Sequence, residues 1–251
     1  MKKPYAAAVA AAAVMLMVAP GLLSATPVLD TQTPPVARPP AQARPERLSQ
    51  LFPRPMIPPR AACRSAHWQG IDLSMAWLKG ADCRDAQLQS ARLIGTDFRK
   101  ANLAGANMNS ATMWNVELGE AWMYRASMVN ASLTGAKMNG ANMTQVDLAQ
   151  ADLRKARMKN TILAGANLSR ANLEHADLTG ANLENAILTN ARLQYANLTG
   201  ADLRNTLLEG ANLTNAVGLS RKQLSQARLD ETTLLPTYLG NSPLQSSGPT
   251  N

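Results

Sequence analysis

From Ala61 to Asn215 the chain keeps one five-residue register without an insertion, as in the run ANLSR, ANLEH, ADLTG, ANLEN from 166 to 185. Thirty-one consecutive pentapeptides fit this register. The third position is Leu or Met in 27 of the 31, with Cys63, Trp68, Cys83 and Phe98 as the others, and the first position is Ala in 25. Ile71, Thr96, Val116, Val146, Thr161 and Thr206 fill the remaining first positions, so neither position ever carries a charge.

A period of five matches neither the 3.6 of a helix nor the 2 of a straight strand. In extended backbone, residues one and three point to the same side. The next uncharged residue is three further on, an odd step that would turn it outward unless the chain bends. One corner per repeat solves this, and a chain that turns regular corners closes into coils. Such coils stack through backbone hydrogen bonds as a parallel β-solenoid. Ten of the fifteen glycines stand at the fifth position, where a corner tolerates a missing Cβ. No proline lies between Arg60 and Leu235 although the chain has fifteen, as a ladder that needs its N–H groups requires. Asn or Asp is common at position two, where a short polar side chain can bond nearby backbone.

The motif of a small residue, Asn or Asp, Leu and two variable residues resembles the bacterial pentapeptide repeat family. The resemblance implies an all-β fold, a right-handed quadrilateral parallel β-helix with one side per pentapeptide over 61–217. Nearly eight coils would then stand on the order of 37 Å tall at roughly 4.8 Å per coil. GLSRKQLSQARLDETTLLP, from Gly218 to Pro236, resembles the helical C-terminal cap of many members, and Ser220 and Gln223 have capping-box spacing. The expected cap, 218–239, would cover the open edge and apolar core of the last coil.

The first sixty residues are a different material. Lys2 and Lys3 precede an apolar stretch from Ala6 to Ala19, with Ser24 and Ala25 after it, which reads as a signal peptide over 1–25 or an uncleaved anchor. Residues 26–60 hold ten prolines and few apolar residues, the composition of an extended, disordered tether. Residues 240–251 read as a disordered tail. The expected location is therefore periplasmic or secreted, with inner-membrane anchoring facing the periplasm as the alternative and membrane contact only if the leader stays uncleaved.

Seven Lys and Arg against Asp30 and Glu46 place about +5 of the formal +8 within residues 1–60, so the solenoid is nearly balanced. Some members of the family are acidic rods that resemble duplex DNA and bind DNA gyrase, which requires a dense stripe of carboxylates. Here Arg154, Lys155, Arg157 and Lys159 stand where a mimic needs acids. Nucleic acid is likewise not expected as a partner. Residues twenty apart should stack, so Lys79 should lie under Arg99 and Lys137 under Arg157, giving a mildly basic fourth side with Lys100, Lys159, Arg154 and Lys155. Asp97, Glu117 and Asp177 interrupt it. Trp114, Trp122 and Tyr124 fall at outward positions and are candidate partner contacts, together with Lys137, Arg154, Lys155, Arg157 and Lys159. Trp77 also falls outward, and Tyr195 should stack on His175.

Cys63 and Cys83 lie one coil apart, within disulfide range; a bridge stapling the first two coils and a pair of reduced core thiols both fit. Met fills seven of the eleven third positions from Met108 to Met158, an inward set suited to core filling rather than to metal. His67 and His175 are too far apart to act together, and no phosphate loop, nucleophile elbow or zinc spacing occurs. No catalysis, cofactor or metal is therefore expected. The function that follows is a non-catalytic interaction or structural scaffold of the periplasm or cell envelope, binding an unknown protein or envelope component. A cytoplasmic DNA mimic binding a type II topoisomerase is the alternative. A homodimeric scaffold joined through Leu219, Leu224, Leu229, Leu234 and Leu235 of the cap is a third.

Overall fold

The computed structural model of the protein describes residues 63–239. The expected leader, tether and tail lie outside the described residues. Parallel bridges join second-position residues twenty apart without a break, from His67 with Gln87 to Asn197 with Val217. Four pentapeptides thus close one coil, and each side of the solenoid is a ladder of single bridges.

The repeat 101–105 shows how the backbone is used. Leu103 N–H donates to the Trp122 carbonyl at 2.7 Å and Gly105 N–H to that of Tyr124 at 3.0 Å, both in the next coil. Asn102 N–H donates back to Ala81 at 2.9 Å, and Ala106 N–H closes the corner on Leu103 at 3.0 Å. Four N–H groups in five are bonded this way, which is why no proline interrupts the register. The fifth N–H belongs to position four. It is the task of the second-position Asn or Asp: Ala104 N–H donates to Asn102 Oδ1 at 3.1 Å, and Asp147, Asn167, Asn172 and Asn182 accept in the same way. At two repeats whose second residue is not Asn or Asp, an Asn of the coil below accepts instead. Val129 N–H, two residues after Ser127, donates to Asn109 Oδ1 at 2.8 Å. Lys159 N–H, after Arg157, donates to Asn139 Oδ1 at 3.0 Å.

The corner is left-handed at every repeat. All fifth positions from Ser65 to Asn215 have φ between 53° and 70°, including 21 that are not glycine. Inside, every third-position residue is buried except the half-buried Trp68, and the methionines from Met108 to Met158 are all core. The polar first-position residues are bonded rather than stranded: Thr96, Thr161 and Thr206 donate to the carbonyls of Leu73, Met138 and Leu183 at 2.8, 3.0 and 2.8 Å.

The cap differs from the expected helical element. Its only α-helix, α1 (Arg221–Leu224), is a single turn, followed by a short 3-10 turn at Thr237–Leu239. The capping box forms, with Ser220 and Gln223 each accepting from the other's backbone N–H. Gln223 Nε2 also donates to the carbonyls of Leu198 and Ala201, at 3.3 and 2.9 Å, which ties the turn down onto the last coil. Beyond it, Arg228 bridges to Leu207 and Leu234 to Asn212, so the cap continues the stack as an irregular coil. Asp230 Oδ1 accepts from the N–H groups of Gly210 and Thr232, an arrangement that competes with a longer helix. Leu219 and Leu224 are buried, Leu229, Leu235 and Leu239 pack half-buried on the core, and Leu234 faces outward.

Candidate functional site

With the interior filled, the chemistry of the described residues is on the four sides. Trp122, 60% exposed, lies on the side that carries Asn102, Asn142 and Ile162, and Tyr124 lies on the same side two residues on, its ring beneath Arg125 at 5.0 Å. Trp114, 48% exposed, belongs to the opposite side, with Thr112, Ser132 and Asp152 in its ladder. The structure thus separates the two tryptophans. His175 and Tyr195 do stack, with ring centroids 4.8 Å apart and planes 8° from parallel.

The side bearing Trp114 carries a shallow depression of about 310 Å³, lined by Trp114, Asn115, Ser132, Thr134, Asp152 and Arg154. Its walls are fixed by hydrogen bonds. Trp114 Nε1 donates to Ser132 Oγ at 2.6 Å. Arg154 grips Asp152 through Nε and Nη2 at 2.8 and 2.7 Å, and Thr134 Oγ1 donates to the same carboxylate at 3.2 Å. The bonds from Arg154 hold the Asp152 carboxyl below the usual carboxylate range, against the smaller effect of burial. Of its lining, only Trp114 and Arg154 were singled out from the sequence. Ser132, Thr134 and Asp152 sit 18, 20 and 38 residues beyond Trp114, so only the twenty-residue coil period could have assembled the group.

On the expected basic side, much of the charge is paired. Lys137 Nζ bonds Glu117, Lys159 pairs with Asp177 at 3.4 Å, Lys100 with Glu120 at 3.3 Å, and Arg99 with Asp97 at 2.7 Å. Lys137 and Arg157 do share a ladder, and neither Lys155 nor Arg157 forms an ion pair among the described residues. Position two and position four of one repeat point to the same side, so Asp-x-Arg makes a fork, as at Asp82 with Arg84, Asp97 with Arg99, Asp152 with Arg154 and Asp202 with Arg204. That spacing was present in the sequence; only the Asp97–Arg99 fork lies on the side of Lys137 and Arg157, where the pairs of Lys137 with Glu117 and Lys159 with Asp177 run between coils.

Cys63 and Cys83 are joined, with Cα atoms 4.4 Å apart, across the first two coils. Among the described residues there is no cluster of three potential metal ligands, and no helix is long and apolar enough to cross a membrane.

These features define a class: a four-sided solenoid of stacked pentapeptides with a filled core and side chains displayed in ladders. The chain belongs to the pentapeptide repeat family, whose model matches it in eight copies over residues 81–119, 126–165, 166–205 and 196–218. Among solved structures, full-length QnrB1, a plasmid-mediated fluoroquinolone resistance protein, is similar in fold, with a TM-score of 0.52 and 18% identity over 70% of this chain and 89% of its own. HetL, a pentapeptide repeat protein involved in heterocyst differentiation regulation in the cyanobacterium Nostoc sp. strain PCC 7120, is 29% identical over 67% of this chain and 91% of its own, with a TM-score of 0.44. No curated protein matches the chain in sequence.

Proposed function

We propose that this protein is a non-catalytic interaction or structural module of the periplasm or cell envelope, which presents rigid side-chain ladders to a partner. The observation that carries this reading is the division of labour within each repeat. Positions one and three are spent on the core and position five on the corner, which leaves positions two and four to vary on the outside. A surface of this kind, held by hydrogen bonds every coil, offers recognition at little conformational cost. The envelope location rests on the leader-like composition of residues 1–25 and agrees with the pairing of Cys63 with Cys83.

Carboxylates neutralised by neighbouring Arg and Lys are poor stand-ins for phosphates, which weighs against the DNA-mimic alternative. The homodimer reading keeps one structural support, the exposure of Val217, Leu234 and Tyr238 at the C-terminal end. The test is topological: a periplasm-active reporter fused after Asn251, with fractionation and the intact mass of the product. Exported protein lacking its first ~25 residues is the expected result. A full-length cytoplasmic product overturns the location and makes a topoisomerase assay the next step.

A further inference from the structure

The depression beside Trp114 combines three properties that a solvated face does not need. The first is an aromatic plane held in place, half-exposed, by the bond of its own N–H to Ser132. A tryptophan fixed before binding loses little freedom when a flat apolar surface is laid against it.

The second is the inventory of unused hydrogen-bonding capacity around that plane. Arg154 engages Asp152 with Nε and Nη2 and leaves Nη1 as a donor. Ser132 accepts from the indole and keeps its own O–H to donate. Thr134 donates to Asp152 and keeps lone pairs to accept. The Asn115 carboxamide, which offers both, lies against the corner at Gly135, where a Cβ would come within 2.5 Å of its Oδ1. Donors and acceptors are thus interleaved around one aromatic ring. An alcohol both gives and takes a hydrogen bond, and a pyranose ring carries several alcohols around an apolar face of C–H groups.

The third property is what the site lacks. Its one carboxylate and one guanidinium are bound to each other, so neither a phosphate nor an ammonium group finds an unpaired counter-charge there. A peptide strand cannot add to this side either, because the second-, third- and fifth-position N–H groups are committed to neighbouring coils.

We infer that the Trp114 depression binds a neutral pyranose ring of a polysaccharide, which stacks on the indole and bonds through its hydroxyls to Asn115, Ser132, Thr134 and Arg154. The polysaccharide names a partner class for the function proposed above and rests on that reading only for where the polymer is met. Binding of the ring itself can be measured in any compartment.

The experiment is retention of the purified full chain on insoluble chitin, cellulose and bacterial cell-wall sacculi, with chito-oligosaccharide titrated against intrinsic tryptophan fluorescence. Retention on at least one of the three is expected, with a fall of about tenfold or more in Trp114→Ala. Trp114→Phe, which keeps a ring, should retain part of it, and Trp122→Ala on the opposite side should retain all of it. Equal melting temperatures of the variants separate loss of the site from loss of the fold. No retention on any of the three polymers, or retention that survives Trp114→Ala, overturns the inference and leaves the depression to a protein partner. Neither outcome bears on the topology test, so the two proposals fail separately.

Discussion

At the scale of the residue, the repeat is governed by its last member. A left-handed backbone costs an L-residue roughly 1–2 kcal/mol, less for Asn or Asp, and glycine escapes most of that cost. Gln150 holds φ 60° on the surface without a side-chain bond among those described. Gln150→Gly should raise stability by about 1 kcal/mol in chemical denaturation, whereas Gln150→Val should lower it. The second position has its own chemistry. Hydrogen bonds from Arg84 hold Asp82 at about 2, and Arg99, Arg154 and Arg204 lower Asp97, Asp152 and Asp202 in the same way. A lowered carboxylate pKa contributes stability above its unfolded value, near 3.9, and loses it as pH falls through the folded value. The denaturation midpoint should therefore stay level down to about pH 4 and fall toward about pH 2. Replacing all four by Asn should flatten that fall while preserving the fold, because Asn keeps the oxygen that accepts the fourth-position N–H.

At the scale of the element, the two ends of the solenoid are closed by different means. The C-terminal end relies on packing: Leu224 is fully buried under the single turn of α1. Leu224→Ala should cost about 2–5 kcal/mol and expose the last coil, detectable as faster amide exchange around 198–217 and as larger species in light scattering. The first two coils rely on a covalent tie. Cys63→Ser should lose on the order of 3 kcal/mol and raise exchange over 63–83 while leaving 140–200 unchanged, since each repeat contacts only its neighbours. The sequence stated the coil itself plainly, because burial, corner and ladder each impose their own period-five constraint. It stated the cap poorly. Ser220 and Gln223 announced a helix start, but beyond it Asp230 takes up the Thr232 N–H and the Thr233 hydroxyl in a local turn, so the α-helix stays a single turn.

At the scale of the whole molecule, what distinguishes one side from another is register, not composition. The Trp114 depression drew little notice in the sequence because its residues come from three successive coils and look ordinary one at a time. The charged residues were legible in part for a related reason: Asp97, Glu117 and Asp177 stood out as interrupting the basic side, while the ion pairs formed with acids two, eighteen or twenty positions away needed the coil geometry. The closure of each coil by four repeats gives such a protein an unusual mutational geometry. Inserting one extra pentapeptide, such as ANLTG after Asn130, should leave every core contact type and corner available, and so should yield a folded rod. It would nevertheless carry everything downstream a quarter turn around the axis, which moves Ser132, Thr134, Asp152 and Arg154 away from Trp114. Inserting four such repeats would restore the facing but lengthen the gap by one storey. Architecture and surface are therefore separable by counting modulo four, and a lineage of such rods can redraw its faces by gaining or losing five residues without ever passing through an unfolded ancestor.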